Sequence, residues 1–352
     1  MRGGSVVRRL SVFGRWESFL LVLVVVTFLL GSASSSAFAT SANLSAAAAS
    51  YTEVALIALP MTLIIIMGDI DLSVGSVVAL ASTALGRMTM EGFPIGLSVV
   101  LVVLLGAIAG AVNAVLVVVL RLPSLVVTLG TLTLYAGLAR VTLSAGGVAQ
   151  FPSFVSNFGS GYLPGTLVPW ALLVVVVAVI PFAVVLHSSH LGRQVFSIGG
   201  NAEAARYSGV RTERIRFVLF VISGCVAALA GLMLTARLNT ASPDNGTTLV
   251  LTVLAAVLLG GVSVFGGKGT LAGVVLAIVL LAAVQNSLSL RDVNSNTQQI
   301  AIGGLLIFSV LATDGFSRLR AWLQDRAETG RRTGASAGMP GTREPVTTET
   351  AG

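Results

Sequence analysis

Apolar runs of about 20 residues recur along this chain, and they leave few folds open to it. Examples are "FLLVLVVVTFLL" at 19–30, "VVLVVLLGAIAGAVNAVLVVVL" at 99–120 and "ALLVVVVAVIPFAVVL" at 171–186. A helix rises 1.5 Å per residue, so about 20 residues span a hydrocarbon core of ~30 Å. Hydrophobic residues make up 55% of the 352, and charged residues only 10%, where soluble domains carry about 25% charge. A soluble α/β fold is thereby set aside. A membrane β-barrel would show alternating segments of ~10 residues, and none is visible. The expected class is all-α, a polytopic transmembrane helical bundle.

About ten membrane segments can be marked: 18–39, 48–67, 73–86, 94–120, 124–143, 166–187, 215–236, 247–261, 271–289 and 298–312. Pro60 should bend the second without ending it. The third is short, about 21 Å as a helix, and is expected to start inside the membrane. The organisation is then a short segment 1–17, a membrane domain 18–314 and a charged tail 315–352, expected to be disordered beyond 327. The first apolar run also resembles a signal peptide, with Arg8 and Arg9 ahead of it and "AFA" at 37–39. A first membrane helix fits better, because all that follows is also apolar.

Charge sets the expected orientation. With both termini cytoplasmic and ten crossings, all but four of the 21 Lys and Arg (Arg87, Arg140, Arg237 and Arg291) fall inside. That is the bias of a multi-pass protein of the cytoplasmic membrane. It also accounts for the net charge of +7 without nucleic acid. Cys225 stands alone in an apolar stretch, and His187 and His190 sit at one membrane edge, so no disulfide framework or metal cluster is expected. A phosphate loop fails too: in "GGKGT" at 266–270, Lys268 precedes Gly269, and Val262 stands where the first Gly is needed. No nucleophile–base pair offers catalysis, and no cofactor is expected in this chain.

The stretch "GDIDLSVGS" at 68–76 places Asp69 and Asp71 between apolar segments. On insertion scales each carboxylate costs roughly 2.5–3.5 kcal/mol at mid-membrane. Gly68 and Gly75 let the backbone break, and Ser73 and Ser76 can cap freed amides. Asp71 can cap the following half-helix, touch a polar solute, or lie at an aqueous edge, and its residue type does not choose among these. Gln285 and Asn286 are uncharged polar groups at membrane depth, suited to helix–helix contact or to a pathway lining. Gly106 and Gly110, in "GAIAG", suit close helix packing.

The polar loop 188–213 contains a short helix at about 202–208. Asn201 is a good N-cap, Glu203 suits the positive helix end, Ala202, Ala204 and Ala205 favour helix, and Gly209 can close it. The loop 238–248, "LNTASPDNGTT", reads as a solvated outside loop.

Four segments carry a family resemblance: "GDIDLSVGSVVAL" at 68–80, "LPSLVVTLGTLTLYAGLA" at 122–139, "GRQVFSIGGNAEAARYSGV" at 192–210 and "AAVLLGGVSVFGGKGTLAG" at 255–273. In order and content they resemble the ribose-type sugar permeases of ATP-binding cassette (ABC) importers. Two departures stand out: Asp69 where the family usually has Gly, and Val250, Leu251 and Thr252 where many relatives carry acidic residues. The resemblance implies a type II importer-like architecture that works as a pair with a second permease copy or paralogue. It implies ATPase subunits, which hold the ATP and Mg, and an extracytoplasmic sugar-binding protein. The solute would be a pentose, a deoxyhexose or a related carbohydrate, with rhamnose and the autoinducer as candidates. Asp69, Asp71, Ser73, Ser76, Gln285 and Asn286 then become candidates for the pathway or gate. Gly199, Gly200, Asn201, Glu203, Ala204, Ala205, Arg206, Ser208 and Gly209 become candidates for ATPase coupling. The competing reading is an ion-driven secondary transporter with its ion site at Asp69 and Asp71.

Overall fold

The computed structural model describes residues 16–143, 147–149 and 151–309, which fall in one compact unit. The expectations for 1–15 and for the tail beyond 309 lie outside the described residues. The helices are α1 Trp16–Ser34, α2 Ser41–Ser50, α3 Thr52–Ile66, α4 Val74–Met90, α5 Ile95–Ala114, α6 Ser124–Thr142, α7 Ser153–Ser160 and α8 Trp170–Ser188. They continue with α9 His190–Gly200, α10 Ala202–Tyr207, α11 Thr212–Leu238, α12 Leu249–Leu259 and α13 Leu271–Ser289. Residues 295–309 form a further helix, α14. A two-residue antiparallel pair, β1 Val148–Ala149 with β2 Thr240–Ala241, ties two loops together.

Among the described residues every segment marked in the sequence contains helix, but the segments differ in reach. Among the described residues six helices are long and apolar enough to cross a membrane, and α2 with α3, bent by 45°, make a seventh when taken as one span. α4 and α12 are shorter. Pro60 lies inside α3 without ending it; the bend falls upstream, at Tyr51 between α2 and α3. The loop 188–213 is mostly helical: α9 occupies 190–200, where sequence reading placed only polar connection. Val195 and Ile198 root it in the bundle.

The core is built around α3 and α11. Every residue of α3 except Ala55 is buried, and α11 packs against α3, α4, α5 and α7. α1 and α8 are peripheral, with most of their apolar surface left outward for lipid. Hydrophobic burial cannot choose partners among such uniformly apolar helices, so small residues do. A Cβ on Gly106 would lie 2.4 Å from the Gly224 carbonyl oxygen, and one on Gly110 would lie 2.3 Å from that of Phe220. The "GAIAG" spacing is therefore the contact that lets α5 and α11 touch backbone to backbone.

The segment read as an outside loop also packs along α4. Gly86 of α4 packs against Ala241, whereas Gly75, eleven residues earlier in the chain, packs against Gly246. Eleven residues of helix measure about 16 Å, half of a ~30 Å core. The chain from 241 to 246 thus descends along α4 toward the break, and the 11-residue α12 follows it. One polar side chain is met inside, while Asp244, Thr247 and Thr248 stay exposed: Asn245 Nδ2 donates to Ser82 Oγ (2.9 Å) and to the Thr240 carbonyl (3.0 Å), and Thr235 Oγ1 of α11 donates to the same Ser82 Oγ (2.7 Å).

Candidate functional site

At the break between α3 and α4, Gly68 takes φ +85°, a left-handed turn that glycine adopts without strain. The freed backbone is not left bare. Ile70 N donates to Ser124 Oγ, and Thr128 Oγ1 donates to the Ile70 carbonyl, both at 3.2 Å. The start of α6 thus satisfies what the break exposes.

The two carboxylates do different things. Asp71 is buried and accepts three hydrogen bonds: from Ser73 N (3.1 Å) and Ser73 Oγ (2.6 Å) at Oδ1, and from Ser223 Oγ (2.8 Å) at Oδ2. Asn113 Nδ2 of α5 donates to Ser73 Oγ (2.7 Å). Asp71 therefore closes a turn just ahead of α4, which has no side-chain cap, and staples its start to α5 and α11. The serines do not cap amides as their type suggests: the Ser73 hydroxyl belongs to the Asp71 network, and Ser76 Oγ donates back to the Ser73 carbonyl (2.7 Å). Asp69 forms an ion pair with Arg216 of α11, Oδ2 to Nε 2.9 Å, without a well-aligned hydrogen bond.

The break lies at the end of the bundle that carries α9 and α10. Gly267 N donates to the Ile66 carbonyl (2.8 Å), and a Cβ on Gly199 would sit 1.8 Å from that same oxygen. Gly199 is thus a packing residue that seats α9 against α3, separate from the short helix that follows; Gly200 is exposed. α10 forms where the sequence places it. Asn201 Oδ1 accepts from Ala204 N (2.9 Å), Gly209 takes φ +82°, and Val210 N returns to the Ala205 carbonyl (3.1 Å). Ala205 is buried and anchors the helix, while Glu203, Ala204, Arg206 and Ser208 face outward. Tyr207 is 90% exposed, an aromatic left in the open on a six-residue helix.

Gln285 and Asn286 are elsewhere. They line a cleft of about 180 Å³ with Ser50, Tyr51, Ser289 and Gln298, at the opposite end of α3 from the break. The Tyr51 hydroxyl donates to Gln285 Oε1, and Asn286 Nδ2 has no hydrogen-bond partner. The pathway candidates therefore fall into two groups that the fold keeps apart.

Residues 43–310 match the family described as the branched-chain amino acid transport system permease component. The chain belongs to that family. Among curated relatives, this permease is 30% identical over 318 residues to an autoinducer 2 import system permease protein, LsrD, of Photorhabdus luminescens (88% of this chain, 95% of the relative). It is 32% identical over 324 residues to the protein of that name from Yersinia enterocolitica (89% and 97%). It is 32% identical over 283 residues to that from Escherichia coli K12 (78% and 85%). No solved structure matches significantly. The ribose-type ABC importer permease resemblance read from four motifs is thus a family relationship. The permease is a multi-pass membrane protein and a transport subunit.

Sequence reading missed several polar residues of the permease. Glu53 is fully buried in α3 and paired twice with Arg237 of α11, Oε1 to Nε 2.9 Å and Oε2 to Nη2 3.2 Å. Arg216, Ser223, Asn113, Ser82 and Asn245 complete networks whose other halves lie far away in sequence. The available signal was an isolated charge, Glu53, at the head of an apolar helix. Such a residue is costly unless paired, and its partner had to be one of the few arginines outside the basic loops.

Proposed function

We propose that this permease moves a small polyhydroxylated solute into the cell as one half of a paired channel, driven by ATPase subunits that dock on α10. The carrying observation is α10 itself. It is a short helix capped at both ends, rooted by Ala205, that presents bare Tyr207 beside Arg206 at the end of the bundle holding the break. A connector has no use for an exposed aromatic there, whereas a partner's groove does. In this reading α10 and both termini face the cytoplasm, ATP and Mg are held by the ATPases, and the opposite end receives a solute-binding protein. The relatives' names support autoinducer 2 as the solute, while the family description names amino-acid transport. The cleft favours a neutral polyol, since its polar lining consists of amides and hydroxyls without charge.

The pairing surface follows from what lipid does not cover well. Gly130, Thr133, Gly137 and Arg140 lie on one exposed face of α6. Arg140 pairs with exposed Asp244 (3.6 Å) of the descending segment, which also exposes Thr247 and Thr248. Charged and hydroxyl groups at membrane depth face protein or water, and small residues admit a neighbouring helix. A second permease chain with the pathway between the two meets both needs.

The ion-driven alternative assigns Asp69 and Asp71 to a cation. Both are already engaged, one by Arg216 and the other by three hydrogen bonds, which favours the ATP-driven reading. Purification of the tagged permease from its host is expected to bring an ATPase with it, and Tyr207→Ala to lose that ATPase while the permease's thermal stability is unchanged. Uptake by the lone chain that an ionophore abolishes would overturn the proposal.

A further inference from the structure

α3 and α11 run antiparallel and are held together by one carboxylate–arginine pair near each end. At one end Glu53 meets Arg237; at the other Asp69 meets Arg216. The two pairs are unequal. Glu53 is 0% exposed and bound at both oxygens by the guanidinium, so separating it would strand a carboxylate among apolar side chains. The Asp69 contact is single and poorly aligned, and the Arg216 side chain is 31% exposed, so water can replace its partner.

Their surroundings differ as well. Arg216 lies in the second turn of α11, and only residues 208–211 separate that helix from α10. Asp69 lies in the break, one residue after the left-handed Gly68. On one side of the break, the end of α3 is clasped by Gly267 N and Gly199. On the other, Asp71 binds the start of α4 to Ser223 and, through Ser73, to Asn113. The few residues from Gly68 to Asp71, held to the start of α6 through Ile70, therefore form the junction between these two parts of the bundle, and Asp69 is the side chain there that pairs with α11 close to α10.

We propose that the Asp69–Arg216 pair is the tie through which displacement of α10 reaches the break, with Glu53–Arg237 as the fixed pivot at the far end of the same helix pair. Asp69 and Arg216 act as positioning residues, and neither has to touch the solute. The proposal rests on α10 being the ATPase foot. Drawing α10 along with the start of α11 moves Arg216, which carries Asp69 and reorients the α3–α4 junction. The Glu53 end stays in place, so the motion is a tilt and not a translation.

The test uses the assembled importer, permease with its ATPase and binding protein, in lipid vesicles with labelled autoinducer 2 and ribose as probes. Asp69→Asn and Arg216→Gln are expected to leave ATP hydrolysis within about twofold of the parent and to lower solute moved per ATP roughly tenfold, a usual size for coupling between linked sites. The exchanged pair, Asp69→Arg with Arg216→Asp, is expected to recover most of that ratio. Glu53→Gln, by contrast, is expected to lower the yield and melting temperature of the complex. An unchanged ratio in Asp69→Asn, or no recovery in the exchange, overturns the proposal. A second arm needs no solute: Asp69→Cys with Arg216→Cys is expected to cross-link as well with the ATPase trapped by a non-hydrolysable ATP analogue as without it, because the two positions move together. Cross-linking lost with the analogue overturns the proposal too. Failure of the underlying reading looks different, because the ATPase would then stay bound to Tyr207→Ala.

Discussion

Asp71 shows how a carboxylate becomes tolerable inside a membrane bundle. Its burden is met by three donors from two residues, Ser73 and Ser223, and hydrogen bonds to a charged acceptor contribute about 1.5–3 kcal/mol each. Asp71→Ala leaves Ser73 and Ser223 without that acceptor in an apolar setting. We expect it to destabilise the permease by about 3 kcal/mol or more, read as a lower melting temperature in detergent and less assembled importer. Asp69→Gly, which removes a side chain at the bundle's end, is expected to keep assembly intact. Equal loss of assembly in both would contradict the separation of a staple from a tie. The motif "GDID" announced that these carboxylates needed partners. It could not say which, because Ser223 lies 152 residues away and Arg216 is one of several basic residues in and just after the loop 188–213.

Among the elements, helix contact here is decided by backbone access. Gly110→Leu pushes a side chain into the Phe220 carbonyl, 2.3 Å from where its Cβ would sit. Overpacking of this kind costs about 1–3 kcal/mol or more, so loss of folded protein is expected. Gly96→Ala, with nothing within 4 Å of its Cβ, is the control and should match the parent in a thermal melt. An unaffected Gly110→Leu would refute the close α5–α11 contact. This contact was legible because glycine spacing in an apolar helix has few other uses. α10 was legible for a similar reason: Asn201, the alanines and Gly209 are local signals, and a helix of six residues needs little else. The descending segment was not. "ASPDNGTT" carries the turn residues of a solvated loop, and Asp244, Thr247 and Thr248 do stay exposed, whereas Asn245 turns inward because Ser82 supplies its partner.

For the whole molecule, the exposed face of α6 and the 244–248 segment tests the paired arrangement. Gly137→Cys is expected to form an intermolecular disulfide in native membranes, whereas Val177→Cys, on the lipid-facing side of α8, is not. A Gly137→Cys protein that stays monomeric under oxidation while the importer remains active would move the shared face elsewhere. The split between sequence and structure follows the range of the forces involved. Apolar length, charge bias, caps and glycine spacing are local, and they determined an all-α membrane bundle, the break at Gly68 and a short helix expected at about 202–208 and found at 202–207. Which carboxylate meets which arginine, how deep residues 241–248 descend, and that Gln285 and Asn286 lie apart from the break were decided only by the tertiary structure. A buried polar group must find its complement somewhere in the packed bundle, and a sequence records the need without recording the address.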